Sequence, residues 1–307
     1  MKPLVWLPFD PAELHLDGQA PPSSLRYEVV DPTVEVPPSV EEVRFYVPPY
    51  LLDERVSAVL PRMSSLEVVQ TLTAGVDNIR PHVPSGVTLC NGRGIHDAST
   101  AELVLTLILA SLRCIPDFVR NMGDEQWRPQ WRPALADKRV LIVGYGAVGR
   151  AIEDRLAPFE VEVVRVARST REGVHAFEDL PALLPEVDVV VLVVPLTEET
   201  KGLVDATFID RMKPGALLVN AARGAVVVTD DLVAALAAER IIAAIDVVDP
   251  EPLPSGHPLW GAPGLLISPH VGGASSAMWP RAHRLVRDQL QRFADGEPLL
   301  NVMTGSY

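Results

Sequence analysis

Three polar side chains follow three successive apolar segments in the second half of the chain. Arg223 comes after LLVNAA, Glu251 after IIAAIDVV and His270 after LLIS. An imidazolium releases a proton near neutral pH, a carboxylate can fix the tautomer of an imidazole, and a guanidinium offers a planar pair of donors to a carboxylate. These residue types predict a catalytic site that binds an acid and protonates an oxygen beside it.

A glycine-rich turn lies upstream of these residues, in the segment RVLIVGYGAVGR at 139–150. An apolar strand pattern precedes the glycines and a helical pattern follows them, which is the context of a dinucleotide-binding turn. Its glycines permit a tight turn, let the backbone approach a pyrophosphate and let the helix pack on the strand, while the first helical amides face the phosphates. The predicted pyrophosphate contacts are Gly144, Tyr145, Gly146, Ala147, Val148 and Gly149.

The next apolar segment reaches Ala167, at the place where a site for NAD would carry an acidic residue on the ribose hydroxyls. No acid stands there, and Arg168, Ser169 and Arg171 follow it. Such donors suit a ribose 2′-phosphate. The sequence therefore favours NADP(H) over NAD(H), and the alternative is a solvated basic turn on an acidic protein.

The pattern of apolar segments indicates how these residues are positioned. From residue 139 onward, short segments rich in Val, Ile and Leu alternate mostly with helical stretches, which is typical of a parallel sheet covered on both faces. With the glycine turn after the first segment, this predicts a doubly wound parallel sheet of the Rossmann type. The carboxyl ends of such strands share one edge, so Arg223, Glu251 and His270 are expected there.

The first ninety residues join short apolar segments by proline-rich connections, which predicts a smaller α/β unit with strands at 4–7, 25–30, 43–47, 66–72 and 87–90. Ser99 followed by Glu102 predicts a capping box and a helix to about Arg113. We expect irregular structure over 118–138, then a last helix over 275–293 and a tail that returns to the first unit. The predicted domains are 1–96 with 275–307 for substrate and 97–274 for cofactor, with a cleft between them.

Composition limits the partners. The formal net charge of -13 repels phosphate backbones, so no nucleic acid is expected. The longest apolar run, 103–112, is too short to span a bilayer, and the N-terminus is unlike a signal peptide, so we expect a cytoplasmic protein that contacts no membrane. Cys90 and Cys114 predict no disulfide, and the other histidines lack paired spacing, so no metal site is predicted.

The segments NAARGAVVVTDDLVAAL, AIDVVDPEP and ISPHVGG resemble, in order and spacing, the signature segments of the D-isomer-specific 2-hydroxyacid dehydrogenase family. TLTAGVDNI, STAELVLTLILA and VVPLTEETKGLVD are similar to that family as well, so the resemblance runs from about residue 65 onward. It implies a Rossmann cofactor domain with a smaller flavodoxin-like α/β substrate domain. It also implies hydride transfer between a nicotinamide dinucleotide and a 2-oxo or 2-hydroxy acid.

The resemblance further implies residue roles. His270 would donate the proton, Glu251 would hydrogen-bond the other ring nitrogen, and Arg223 would bind the substrate carboxylate. Asp246 would contact the nicotinamide amide, although a turn acid at a strand end is the alternative. The backbone of Ala74, Gly75 and Val76 would form a second carboxylate cradle from the opposite domain. Further residues expected in the cofactor site are Pro195, Thr200, Ala222, His270 and Gly272.

The substrate is expected to be small. Members of the family that act on phosphorylated substrates often carry basic and hydroxyl residues in the loop after the third N-terminal strand, where this chain has Pro48, Pro49 and Tyr50. We therefore expect reduction of a 2-oxo acid of the glyoxylate or hydroxypyruvate type to the D-2-hydroxy acid. An aromatic or phosphorylated substrate is the alternative.

Other interpretations stay open at this point. A dinucleotide-sensing protein could keep the dehydrogenase fold without catalysis, although it would not require the three polar residues. A methyltransferase does not explain them, and a formate dehydrogenase would carry Gln in place of Glu251. Trp127 and Trp131 could cover the core of their own subunit or anchor the homodimer that the resemblance implies.

Overall fold

The computed structural model describes residues 2–50 and 54–304, which divide into two compact units. The first comprises the chain up to His96 together with the chain from Ser276 onward, and the second is Asp97–Ser275. Five strands of the first unit lie within the predicted segments: β1 (Leu4–Leu7), β2 (Arg26–Val29), β3 (Val43–Tyr46), β4 (Val68–Gln70) and β5 (Thr88–Cys90). They form a parallel sheet of order β2-β1-β3-β4-β5, which is the flavodoxin-like order.

The first unit also contains a short helix, α1 (Glu54–Ala58), and the last helix of the chain, Met278–Asp295. That last helix begins and ends slightly later than the predicted 275–293. Its apolar side packs into the core of the first sheet through Met278, Ala282, Val286 and Leu290. Beyond the helix, the Met303 amide donates to the carbonyl of Leu89, so the tail is hydrogen-bonded to the end of β5.

The second unit contains six parallel strands: β6 (Arg139–Val143), β7 (Glu162–Val166), β8 (Val189–Leu192), β9 (Leu217–Asn220), β10 (Ile242–Ile245) and β11 (Leu265–Ile267). Their order is β11-β10-β9-β8-β6-β7, so strands following β6 lie on both of its sides. This is the predicted doubly wound, Rossmann-type sheet, with its switch point between β6 and β8. On the outer side of β7, the described residues form an isolated parallel bridge between Val166 and His175.

Helices cover both faces of this second sheet. The helices α2 (Asp97–Leu112) and α4 (Ala147–Leu156) share a core with Val140 and Ile142 of β6. Leu141 and Val143, which point to the opposite face, belong to the core under α5 (Leu180–Leu183), α6 (Ala206–Arg211) and α7 (Thr229–Ala237). The inner strands are apolar on both sides for this reason, so their sequence pattern shows little alternation, whereas the edge strand β7 carries the polar Glu162 and Arg165.

Two local predictions are wrong. The helix α2 begins at Asp97, so Ser99 lies inside it and is 7% exposed, because packing of the first turn outweighs the capping signal. The segment predicted to be irregular begins with a helix, α3 (Ile115–Gly123), none of whose residues is buried. Its apolar residues Ile115, Phe118, Val119 and Met122 recur at helical spacing and are exposed, so the helix has an apolar side that faces solvent. No single described helix is both long and apolar enough to cross a membrane; α2 and α3 meet that test only when joined across a 64° bend.

Candidate active site

Arg223, Glu251 and His270 follow β9, β10 and β11, which are neighbours in the sheet of the second unit. Because these strands are parallel, all three residues leave the sheet at its carboxyl edge. Ligands bind at this edge in doubly wound sheets. The fold thus gathers at one edge three residues that are far apart in the sequence.

Glu251 and His270 are in direct contact. The Nδ1 atom of His270 and the Oε1 atom of Glu251 form a hydrogen bond, and the two side chains are 47% and 38% exposed. A ring whose Nδ1–H donates to a carboxylate has a fixed orientation and tautomer. The Nε2 atom makes no hydrogen bond within the described part of the chain and can serve a ligand.

A buried carboxylate holds the segment that carries His270. Asp246, 4% exposed, accepts hydrogen bonds from the Ser268 hydroxyl at 2.6 Å and from the Val271 and Gly272 amides at 2.9 Å each. The His270 amide donates to the Asp246 carbonyl at 2.7 Å. These bonds support the left-handed conformation of His270, φ 53°, which is unfavourable for a side chain with a Cβ atom.

This arrangement gives Asp246 a positioning role that the sequence analysis missed. A carboxylate has about four acceptor positions, and the three bonds from the His270 segment leave one for a ligand such as an amide. Ser268 was also missed, and its place directly after the apolar LLI was the only signal. Gly272 is buried, and a Cβ atom there would lie 3.0 Å from Asp246 Oδ2, so this glycine packs against the same carboxylate.

The Arg223 segment is held by the last residue of β9. The Asn220 side chain accepts from the Ala222 amide and donates to the Arg223 carbonyl, each at 3.0 Å. Arg223 is half-buried, and its guanidinium donates to the Ala222 carbonyl at 2.8 Å. Gly224 follows, and a Cβ atom there would lie only 1.9 Å from the Val248 carbonyl oxygen. The turn after β9 is therefore packed backbone to backbone against the segment after β10.

The glycine turn has the geometry that its spacing predicts. Gly144 has φ 107°, and a Cβ atom there would lie 2.5 Å from the Val193 carbonyl oxygen. A Cβ atom on Gly149 would lie 2.6 Å from the Gly144 carbonyl oxygen, so this glycine lets α4 approach β6 closely. Next to Gly146 a Cβ atom would meet no atom within 4 Å, so the space in front of that residue is open.

The amides of the turn have different partners. Those of Gly144 and Tyr145 both donate to the Val166 carbonyl, at 2.9 and 3.0 Å, and so tie the turn to the end of β7. The helix α4 starts at Ala147 and has no side-chain cap at its N-terminus. The Ala147 and Val148 amides lie at this positive end of the helix dipole, where they could donate to a phosphate.

Two further loops carry predicted cofactor residues. After β7, Arg168, Ser169 and Arg171 are all exposed. After β8, the buried Thr200 hydroxyl donates to the Pro195 carbonyl at 2.6 Å and accepts from the Thr197 amide at 2.8 Å, so Thr200 shapes its own loop.

In the first unit, side chains engage the carbonyl oxygens of the Ala74–Val76 turn. The Asn91 amide donates to the Ala74 carbonyl at 2.9 Å, and the Thr73 hydroxyl donates to the Gly75 carbonyl at 2.7 Å. The Gly75 amide donates no hydrogen bond to any of the described residues. The turn can therefore offer that N–H group to an anion, as a carboxylate cradle requires.

A nicotinamide dinucleotide fits the second unit. The uncapped N-terminus of α4 and the open space at Gly146 suit a pyrophosphate, and Arg171 has no carboxylate partner among the described residues. Within the same part of the chain, no group of three or more His, Cys, Asp or Glu side chains could hold a metal ion. Arg223 and the hydrogen-bonded pair of His270 and Glu251, at one edge of this sheet, suit hydride transfer assisted by a cation and an acid.

The sequence of this chain is similar to those of known proteins. Residues 105–272 match the family model for the NAD binding domain of the D-isomer specific 2-hydroxyacid dehydrogenases. The chain is 34% identical over 250 residues to the glyoxylate reductase/hydroxypyruvate reductase of Homo sapiens, an alignment that covers 77% of this chain and 76% of the human protein. It is 33% identical over 265 residues to the glyoxylate reductase of Thermofilum pendens, covering 80% and 78% of the two chains.

Solved structures of related proteins have the same fold as this chain. A D-isomer specific 2-hydroxyacid dehydrogenase from Xanthobacter autotrophicus, in complex with NADPH and MES, has a TM-score of 0.81 and 31% identity, covering 98% of this chain and 97% of that one. An NADPH-dependent glyoxylate/hydroxypyruvate reductase from Sinorhizobium meliloti, in complex with NADP and sulfate, has a TM-score of 0.82 and 27% identity, covering 99% and 98%. The chain belongs to the D-isomer specific 2-hydroxyacid dehydrogenase family.

Proposed function

We propose that this protein reduces a small 2-oxo acid of the glyoxylate or hydroxypyruvate type to the D-2-hydroxy acid, with NADPH preferred over NADH. The observation that carries the proposal is the hydrogen bond between His270 and Glu251, at the sheet edge that also carries Arg223. The names of the human and Thermofilum pendens relatives support this substrate class.

In the proposed reaction, Arg223 binds the substrate carboxylate and polarises the adjacent carbonyl group. When bound, the nicotinamide supplies a hydride to the carbonyl carbon. As the electron pair of the C=O bond moves onto oxygen, His270 donates its Nε2 proton to that oxygen and forms the hydroxyl group. Glu251 holds Nδ1 and stabilises the imidazolium before the transfer. We assign the Gly75 amide and the turn around it to a second contact with the carboxylate.

The preference for NADPH rests on the loop after β7. Ala167 stands where an acid would bind the ribose hydroxyls of NAD, and exposed Arg168, Ser169 and Arg171 follow. The relatives from Xanthobacter autotrophicus and Sinorhizobium meliloti, solved with NADPH and NADP, support this preference.

We also propose that a second copy of the chain covers the apolar side of α3 and the segment after it. Four apolar residues of α3 are between 38% and 75% exposed, and Trp127 and Trp131 are 95% and 102% exposed, so neither ring covers the core of its own subunit. Apolar patches and aromatic anchors of this kind are enriched at interfaces. Light scattering should show a dimer that Trp127→Ala with Trp131→Ala shifts towards monomer; a monomeric wild type would contradict this.

A panel of 2-oxo acids, assayed by absorbance with NADPH and NADH in parallel, tests the function. Glyoxylate and hydroxypyruvate should be reduced, and faster with NADPH. His270→Ala should lower kcat by about 10²- to 10⁴-fold while the cofactor still binds. The exposed His82 provides the control, and His82→Ala should behave as wild type.

The alternatives give different results in the same panel. Cofactor binding without turnover of any 2-oxo acid would favour a dinucleotide-sensing protein. Turnover confined to aromatic or phosphorylated acids would overturn the proposed substrate class and leave the reaction type in place.

A further inference from the structure

A cluster at the end of β7 has no part in the reaction described above. Arg165 on β7 and Arg171 in the following loop each place the guanidinium carbon near the ring of Tyr145, at 5.7 and 5.6 Å from its centroid. Glu153 on α4 accepts hydrogen bonds from the Tyr145 hydroxyl and from the Arg165 guanidinium. We call Tyr145, Glu153 and Arg165 the tyrosine platform.

The two arginines at this platform differ in how their charge is compensated. Arg165 forms an ion pair with Glu153, and the two side chains are 33% and 19% exposed. The hydrogen bond from Arg165 keeps the pKa of the Glu153 carboxyl below its usual value, so this pair stays charged. Arg171 instead donates to the Tyr145 carbonyl at 2.6 Å and has no carboxylate partner among the described residues. Of the two arginines, Arg171 is thus the one whose charge no described carboxylate compensates, and it can attract an anion.

The backbone around Arg171 is also fixed. Arg171 and Val174 exchange two backbone hydrogen bonds, at 2.9 and 3.4 Å, which close a tight turn. His175 then donates to the Arg165 carbonyl at 2.8 Å and accepts from the Ala167 amide at 3.0 Å. The loop is therefore closed onto β7, and the Arg171 side chain is held at its far end by Tyr145. A long side chain held in place before binding loses less entropy when a ligand arrives.

We propose that the tyrosine platform holds Arg171 in the position that receives a ribose 2′-phosphate, which makes Tyr145 a positioning residue for the choice between NADPH and NADH. This inference rests on the NADPH preference proposed above. Tyr145 lies between Gly144 and Gly146 of the glycine turn. Tyr145 therefore links the turn proposed to bind the pyrophosphate to Arg171, the cation proposed to select the cofactor.

Dissociation constants for NADPH and NADH, measured by calorimetry on the full chain, test the proposal without recourse to activity. Arg171→Ala should lower the NADPH-to-NADH affinity ratio by roughly 10- to 100-fold, because it removes charged hydrogen bonds to the 2′-phosphate. Tyr145→Leu should lower the ratio by about 2- to 5-fold, which is the value of a cation–π contact at an exposed site. Tyr145→Phe keeps the ring and should keep the wild-type ratio.

A double variant separates positioning from direct contact. If Tyr145 acts through Arg171, then adding Tyr145→Leu to Arg171→Ala should leave the ratio unchanged. A Tyr145→Leu protein with the wild-type ratio, or a further loss of ratio in the double variant, would overturn the platform while leaving the NADPH preference intact. A wild type that binds both cofactors equally would overturn the preference itself and the platform with it. Circular dichroism establishes that each variant is folded.

Discussion

Replacing Gly224 with alanine should damage both stability and activity, because this residue joins two of the segments that carry the proposed catalytic side chains. An added Cβ atom would lie 1.9 Å from the carbonyl oxygen of Val248. Gly224 directly follows Arg223, and Val248 lies between β10 and Glu251. A side chain at position 224 must therefore push apart the turn that holds Arg223 and the segment that leads to Glu251.

The size of the effect follows from that distance. Because Cβ atoms do not approach other heavy atoms within 3.0 Å, the two segments must separate by more than about 1 Å, and both are backbone in a closely packed region. Overpacking of this kind costs about 1–3 kcal/mol and sometimes more. At the upper end of that range, the Tm should fall by about 6–12 °C. A misplacement of about 1 Å at a catalytic group lowers the rate by about 100-fold, which we expect for kcat/KM.

Thermal melting and steady-state reduction of a 2-oxo acid measure the two effects separately. Gly261→Ala is the matched control in the same unit, since a Cβ atom on Gly261 would meet no atom within 4 Å. That variant should melt and turn over as wild type does. If Gly224→Ala behaved like Gly261→Ala in both assays, the argument from backbone contact would be refuted.

Three further predictions concern single groups. Glu251→Gln keeps a hydrogen-bond acceptor for His270 but removes the charge. Because both side chains are partly exposed, kcat/KM should fall by only about 2- to 5-fold in steady-state assays. An unchanged value would contradict the role of the charge. Burial raises the pKa of the Cys90 thiol to about 11, whereas Cys114 is partly exposed. A thiol reagent at neutral pH should therefore label Cys114 in the folded protein and label Cys90 only after denaturation, which mass spectrometry can measure. Burial lowers the pKa of His283 below its ordinary 6.5, so the unfolded state takes up a proton more readily than the folded state. The free energy of unfolding, measured by urea titration, should therefore decrease as the pH falls below 6.5. In His283→Phe, the free energy of unfolding should depend less steeply on pH.

The Rossmann unit could be predicted from the sequence because its physics is local and repetitive. A parallel strand covered on both faces is apolar throughout, so the strands inside the sheet appear as short apolar runs rich in Val, Ile, Leu and Ala. Once those runs are placed, parallel order alone puts the residues after β9, β10 and β11 at one edge. The glycine turn was also predictable, since the spacing of Gly144 and Gly149 reflects contacts within a single strand, turn and helix.

What could not be predicted depends on contacts between segments distant in the sequence. The carboxylate of Asp246 binds amides some 25 residues further along, and only the left-handed turn at His270 aims those amides at it. The helix α2 starts before its apparent cap because Ser99 is buried within its first turn, and burial is decided by the rest of the fold. For α3 the difficulty was different: Ile115, Phe118, Val119 and Met122 recur at helical spacing, but they are exposed and so belong to no core of the described chain.

The end of β10 is the common support for the whole catalytic edge. Asp246 takes three hydrogen bonds from the segment that carries His270, and Val248, two residues further on, is in contact with the turn that carries Arg223. Glu251 continues the same segment and reaches back to His270. A shift of this one strand end would therefore move all three proposed catalytic side chains together. By the same reasoning, substitutions at residues 246–249 should impair catalysis more than substitutions of the exposed residues next to His270. This effect is expected even though residues 247–249 are assigned no contact with the substrate.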